Sequence, residues 1–279
     1  EDMTRKTGSM KVQFTKMEGT GNDFIMVNAV PGSLDMDWPS FAARFCPVKT
    51  GIGADGVIVL SPDTLTDFRF RIFNADGSEA EMCGNGARCA ALFAYRQGIA
   101  GKALRFSTMA GIVEARVHND GAAVQMTVPF GLDTGIVIPV HGSERTVHFV
   151  NTGVPHTIVF TDHVAEEPVF EHGRLIRYHD RFAPSGTNVD FVEKVGSGCI
   201  RVRTYERGVE GETLACGTGA VASAIVSYHL GTVRDLPVTV RMRGGDLKID
   251  FTPDGGAYAD VWLTGPVTTV FTGEAMVSL

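Results

Sequence analysis

No unbroken apolar stretch in this chain of 279 residues comes near the roughly 18 that a membrane-spanning helix needs. The opening EDMTRKTGSMK is polar and lacks the apolar core of a signal peptide, and Met10 fits a natural start with the preceding residues an extension. Positive charge is also short. With 25 Lys and Arg against 32 Asp and Glu, the formal charge of −7 offers no footprint for nucleic acid or an anionic membrane. Cysteine is sparse and odd in number, at five, which excludes a disulfide scaffold. Without a secretion signal the thiols read as reduced and the setting as cytoplasmic. No Cys or His pair has zinc spacing except Cys83 and Cys89, which straddle glycines and a helix start, so no metal is expected. Apolar residues, by contrast, are plentiful at 44%, and the length suits two ordinary domains or one large one.

Two short segments share one start: EMCGNGARCAA, from Glu81, and ETLACGTGAVASA, from Glu212. Sliding the chain until Cys83 falls on Cys216 also aligns Gly84 with Gly217, Gly86 with Gly219 and Ala87 with Ala220. The same offset aligns Glu79 with Glu212, Asp55 with Asn188, and Gly98 with Gly231, each ending an apolar run where a helix C-cap glycine belongs. Thirty-three glycines could align by chance, but two cysteines with matching helix ends and flanking polar residues could not. The chain is read as two homologous halves.

Each half shows β-rich stretches before its cysteine, one helical run after it, and further strands. The run GTGAVASAIVSYHL carries no Asp, Glu, Lys or Arg, so it should be buried on nearly every side, as inside a wrapped sheet. The first run carries Arg88 and Arg96 and should lie in wetter surroundings. The expected fold class is α+β: two pseudo-symmetric domains, each a mainly antiparallel sheet around a central helix, with the active site in the cleft between them. The expected boundaries are 10–128 and 129–263, with a tail at 264–279 that returns to the first domain.

Both cysteines stand immediately before Gly-x-Gly and a helix. Free amides and the dipole at a helix N-terminus favour an anion, and a thiol there can fall to a pKa of about 3.5–7.5 from about 8.5. Two such thiols facing one carbon from opposite sides could remove a proton and return one from behind, which inverts a stereocentre. The developing charge would rest on amides at the two helix starts, so no pyridoxal phosphate or other cofactor is required. Cys46, Cys89 and Cys199 lack this setting and read as structural.

MEGTGNDF, GIGADG, IFNADGSEAEMCGNGARC, PHTIV, GTNVDFVE and ERGVEGETLACGTGA together resemble the diaminopimelate epimerase family, from about Val12 to the C-terminus. The resemblance implies cofactor-independent conversion of L,L- to meso-diaminopimelate in lysine and peptidoglycan biosynthesis, and a homodimer. It implies that Cys83 and Cys216 are the acid/base pair, that His156 assists the first cysteine, and that Glu206 tunes the second. Asn22, Asn74, Asn188 and Arg207 are implied as substrate-binding side chains, Arg207 gripping the distal carboxylate with Glu206 beside it for the ammonium. Backbone amides of Gly84, Asn85, Gly217 and Thr218 would hold the reacting carboxylate. The chain departs from the pattern at Gly56, where many relatives have glutamine, at Val154, where many have asparagine, and at Glu18, where histidine is common.

Three other readings compete. One is a two-thiol racemase of another amino acid such as proline or histidine, against which CGNGARC and ETLACGTG argue. The others are a non-catalytic amino-acid-binding protein, which the presence of both cysteines disfavours, and a redox-responsive dithiol protein, which a turnover assay on reduced protein separates.

Overall fold

The computed structural model describes residues 9–32, 34 and 36–278. The chain divides into two compact units. The first holds the described residues up to Gly19, then Asp23–Asp120, then those from Val267 on; the second holds Thr20–Asn22 and Gly121–Pro266.

In the first unit the elements run β1 (Ser9–Gly19), β2 (Asn22–Asn28), α1 (Trp38–Phe45), β3 (Gly56–Ser61), β4 (Phe68–Asn74), β5 (Glu79–Ala80), α2 (Gly84–Arg96), β6 (Ala103–Thr108) and β7 (Gly111–His118). Strand β2 pairs in parallel with β3, β3 antiparallel with β4, β4 antiparallel with β5 and parallel with β6, and β6 antiparallel with β7. Helix α1 is started by Asp37, which accepts from the Ser40 amide at 3.1 Å, and it buries Trp38, Phe41 and Ala42 against Val12, Ile25 and Val57.

The second unit comprises β8 (Gly121–Gln125), β9 (Phe130–Val140), β10 (Ser143–Asn151), β11 (Pro155–Phe160), α3 (Val169–Arg177), β12 (Asn188–Gly196), β13 (Cys199–Glu206), β14 (Gly211–Thr213), α4 (Gly217–His229), β15 (Val238–Met242), β16 (Gly245–Asp254) and β17 (Ala257–Pro266). The pairing scheme of the first unit recurs here. Strand β11 lies parallel to β12, β12 antiparallel to β13, β13 antiparallel to β14 and parallel to β15, and β15 antiparallel to β16. Finally β18 (Thr268–Ser278) runs antiparallel to β1, with Val12 opposite Ala275. Each unit is thus a mainly antiparallel sheet with parallel pairs at matching places.

The boundaries differ from those expected. The first break falls after Asp120 and not after residue 128, because β8 pairs with β17, Val124 opposite Leu263. The second falls after Pro266 and not after residue 263, because β17 continues that far. Thr20–Asn22 groups with the second unit: Gly244 lies so close to Thr20 that an added Cβ would sit 2.0 Å from the Thr20 carbonyl oxygen.

Helices α2 and α4 are the duplicated centre. Both have 13 residues and both end in a glycine with positive φ, Gly98 at 71° and Gly231 at 70°. The Ile99 amide donates to Ala94 O and the Thr232 amide to Ser227 O, so the same six-to-one closure ends each helix. Helix α4 buries Gly219 through Ser227 and packs against β10–β13 and β15–β17. Helix α2 packs against β1, β3 and β7. Arg96 is exposed, donating to Thr269 Oγ1 at 2.6 Å, but Arg88 is not in wet surroundings. It is fully buried, its guanidinium lying close against Gly19, where an added Cβ would meet Nη2 at 3.4 Å.

Candidate active site

Cys83 and Cys216 occupy the same backbone position, the last extended residue before a helix. Their φ/ψ values are −140°/122° and −125°/113°, and the next residue in each case is a helical glycine. Each cysteine therefore stands at the positive end of its helix dipole, an arrangement suited to an anion. The hairpin that leads into each cysteine is clamped alike. Arg71 grips Glu79 by two bonds of 2.7 and 2.9 Å, and Arg203 grips Glu212 by two of 2.8 Å. These bidentate pairs hold both carboxylates below their ordinary pKa.

The surroundings of the sulfurs then diverge. Cys83 is half-buried, whereas Cys216 is buried at 7% exposure. Burial first, and the carboxylates of Glu206 and Asp190 next, push the Cys216 thiol well above its ordinary pKa, against the pull of the Thr218 hydroxyl and the Gly219 amide. The expected lowering at a helix start is overturned here, because loss of water outweighs the helix amides. Glu206 itself is raised, chiefly by burial.

Beside Cys216 lies a continuous line of polar contacts. Its Sγ is 3.4 Å from Thr218 Oγ1, Thr218 Oγ1 is 2.9 Å from His156 Nε2, and His156 Nδ1 is 2.7 Å from Asp190 Oδ2. Thr204 donates its hydroxyl to Asp190 Oδ1 at 2.7 Å. His156, Asp190 and Thr204 are all fully buried, from β11, β12 and β13 respectively. Gly219 makes room for them: an added Cβ would stand 2.4 Å from Asp190 Oδ1 and 3.3 Å from His156 Cε1. The motif position of Gly219 thus has a steric cause.

Of the other residues singled out in the sequence, Asn22, His156, Asn188, Glu206, Arg207, Gly217 and Thr218 fall in the second unit with Cys216, while Asn74, Gly84 and Asn85 fall in the first with Cys83. Asn188 spends its side chain on backbone, donating to Pro155 O at 2.9 Å and accepting from the Arg207 amide at 2.8 Å. Asn74 donates to Ser78 Oγ at 3.0 Å, and Asn85 is buried in the first turn of α2. The Arg207 guanidinium reaches Ser185 O at 3.2 Å and lines a cavity of about 460 Å³ with Asp133, Phe149, Asn151, Arg181 and Phe182. Cys216, His156 and Glu206 are not among that cavity's lining residues. Gly56 has no room for a side chain, since a Cβ would lie 2.6 Å from Phe73 O. Asn151, in the same turn as Val154, accepts from the Gly153 amide at 2.9 Å.

Sequence reasoning missed Asp190 and Thr204, and it assigned Thr218 only a backbone role. The available signal was the single carboxylate inside NVDFV, a run that otherwise reads as a buried strand.

Comparison with known proteins matches a family model described as diaminopimelate epimerase to residues 14–130 and 148–270. A protein named diaminopimelate epimerase from Aquifex aeolicus (strain VF5) is 46% identical over 275 residues, covering 94% of this chain and 97% of that one. Another of that name, from Methanocella arvoryzae, is 44% identical over 282 residues, covering 95% and 96%. Among solved structures, a PhzF-family phenazine biosynthesis protein from Bacillus anthracis aligns at a TM-score of 0.75. At 14% identity, over 96% of this chain and 100% of that one, the likeness extends to the fold alone.

Proposed function

Because the chain belongs to the diaminopimelate epimerase family, we propose that it interconverts L,L- and meso-diaminopimelate by two-base proton transfer, with Cys83 and Cys216 as the acid/base pair. The observation that carries the reading is the duplicated helix start, a cysteine in the same extended conformation before α2 and before α4. One sulfur takes the α-proton as a thiolate while the other, as a thiol, delivers a proton to the opposite face of the same carbon. The raised pKa of Cys216 supports its resting as the protonated partner. First-turn amides at Gly84–Asn85 and Gly217–Thr218 bind the α-carboxylate and stabilise the charge that develops on it.

In the same reading, Asn22, Asn74 and Asn188 position the substrate, Arg207 pairs with its distal carboxylate, and Glu206 receives an ammonium group. His156 assists Cys83 in proton handling, and Glu206 tunes Cys216. No cofactor takes part, and the working form is a cytoplasmic homodimer.

The test is to incubate reduced protein with L,L-diaminopimelate in heavy water and follow meso product and α-deuterium. Cys83→Ala and Cys216→Ala should each abolish epimerisation, and Cys89→Ala should keep most of it. Near-normal turnover by either of the first two variants refutes the two-base assignment. Equal racemisation of proline or histidine refutes the substrate.

A further inference from the structure

We infer that four arginines on the face of the second unit's sheet turned away from α4, Arg201 and Arg203 from β13 with Arg241 and Arg243 from β15 and the turn after it, form a binding site for a small oxyanion carrying two or more negative charges.

Strand alternation puts the four together. Ile200, Val202 and Thr204 of β13 and Val240 and Met242 of β15 are buried, and α4 packs against both strands, so the arginines between them project from the opposite face. The two strands are parallel neighbours, with Arg201 directly beside Arg241. All four arginines line one cavity of about 490 Å³, together with Val164 and Ala165 of a short 3-10 turn. That volume suits a small molecule.

One side of the cavity is fixed. Arg203 spends Nε and Nη2 on Glu212 at 2.8 Å each, and donates through Nη1 to the carbonyls of Val164, Ala165 and Glu167 at 2.9, 3.1 and 2.9 Å. The carboxylates are engaged as well. Glu212 Oε1 also faces Arg243 Nη1 at 3.2 Å. Glu193 accepts from Arg201 Nη1 at 3.0 Å and from the Val164 amide at 2.9 Å. Arg241 is the least compensated: Asp246 stands 3.9 Å away, beyond hydrogen-bond distance, and among the described residues no other carboxylate pairs with it. Four guanidinium groups against three carboxylates leave positive charge at this cavity, in a chain whose formal charge is −7. Like charges side by side on neighbouring strands destabilise a sheet. A bound anion removes that cost, and the planar fork of arginine matches phosphoryl and carboxylate oxygens in pairs.

Duplication supplies the control. In the first unit Arg71 clamps Glu79 as Arg203 clamps Glu212, and Arg69 precedes Arg71 as Arg201 precedes Arg203. The strand neighbours of Arg69 are Ser61 and Ser107, whereas those of Arg201 are Glu193 and Arg241. The clamp therefore does not need the cluster, and the added charges serve something that the second half alone carries. Cys216, His156, Glu206 and Arg207 are not among this cavity's lining residues, so the site is separate from that of the proposed reaction.

Isothermal titration of the full chain at low salt, with inorganic pyrophosphate and separately with citrate, tests the site and separates phosphoryl from polycarboxylate ligands. At least one probe should bind saturably at one site per chain and raise the melting temperature. Arg241→Gln and Arg243→Gln, both at exposed positions, should each weaken that binding about tenfold or more, as expected for losing a charge-assisted hydrogen bond. Arg105→Gln, which removes an exposed arginine paired with Glu114 in the first unit, should leave it unchanged. Circular dichroism checks that each variant is folded. The site is overturned if neither probe binds saturably, or if Arg105→Gln weakens binding as much as Arg241→Gln does. No turnover enters the readout, so the result is independent of the proposed function.

Discussion

Gly219→Ala is the smallest perturbation that addresses the packing of α4 on its buried polar floor. The new Cβ would stand 2.4 Å from Asp190 Oδ1, well inside contact distance. Asp190 cannot step aside freely, since Oδ1 takes the Thr204 hydroxyl at 2.7 Å and Oδ2 faces His156 Nδ1 at 2.7 Å. Overpacking a core of this kind costs about 1–3 kcal/mol. Weakening one hydrogen bond to a buried charge adds about 1.5–3 kcal/mol. Helix propensity returns about 1 kcal/mol, because alanine replaces glycine at a position with ordinary helical backbone. The net loss is therefore about 3 kcal/mol, or a fall of about 6–12 °C in Tm at the usual 2–4 °C per kcal/mol for chains approaching this size. Gly86→Ala is the matched control. Its Cβ meets the terminal methyl of Ile58, which can rotate away, so the melting temperature should move by less than half as much. Thermal unfolding followed by circular dichroism compares the two. The steric account fails if Gly219→Ala melts with the parent, or if Gly86→Ala is the more damaging change.

Two further predictions rest on shifted pKa values. Burial pushes Cys46 up to about 11 and Cys89 up to about 12, so native protein treated with iodoacetamide near neutral pH should be labelled at the half-buried Cys83 and Cys199 and spared at Cys46 and Cys89; labelling of Cys89 at the rate of Cys83 contradicts this. Glu212 is held below its ordinary pKa by Arg203, so its contribution is complete above the unfolded carboxylate pKa and is lost as pH falls through the lower folded value. Glu212→Gln should therefore cost about 1–2 kcal/mol in neutral urea unfolding and nothing once the parent carboxylate is protonated, and a deficit that persists unchanged in acid speaks against the pairing.

Much of the fold was legible because duplication writes each decision twice. Two glycines ending two apolar runs at the same spacing mark two helices, and the uncharged run GTGAVASAIVSYHL marks a helix enclosed by strands. The boundary errors come from β8 and β17. Their pairing joins segments from opposite ends of the second unit, and no local pattern in GAAVQ announces that its partner is DVWLT. Arg88 was misjudged for a related reason. A charge in an apolar run signals water by default, yet the close approach of Gly19 provides a buried seat that only tertiary structure reveals.

The site was legible to the extent that its members are motif residues, and illegible where it depends on alternation across a strand. Asp190 sits in NVDFV between two apolar neighbours that are as fully buried as it is. In a strand covered on both faces, periodicity cannot say which face a residue serves. What decides the matter is the partner set: a histidine from β11, a hydroxyl from β13, and a glycine in α4 that leaves space for both. With β12 itself these are four separate elements, and the corresponding places in the first half hold other residues. Duplication therefore supplied the frame, and divergence within it supplied the asymmetry. A two-base reaction needs that asymmetry, because at any instant one sulfur must be charged and the other protonated. Two identical helix starts would favour the same protonation state at both. On the two-thiol reading proposed above, a half-buried cysteine over an apolar floor, matched with a buried one over a carboxylate–imidazole pair, gives the two sulfurs the different surroundings that such a reaction calls for.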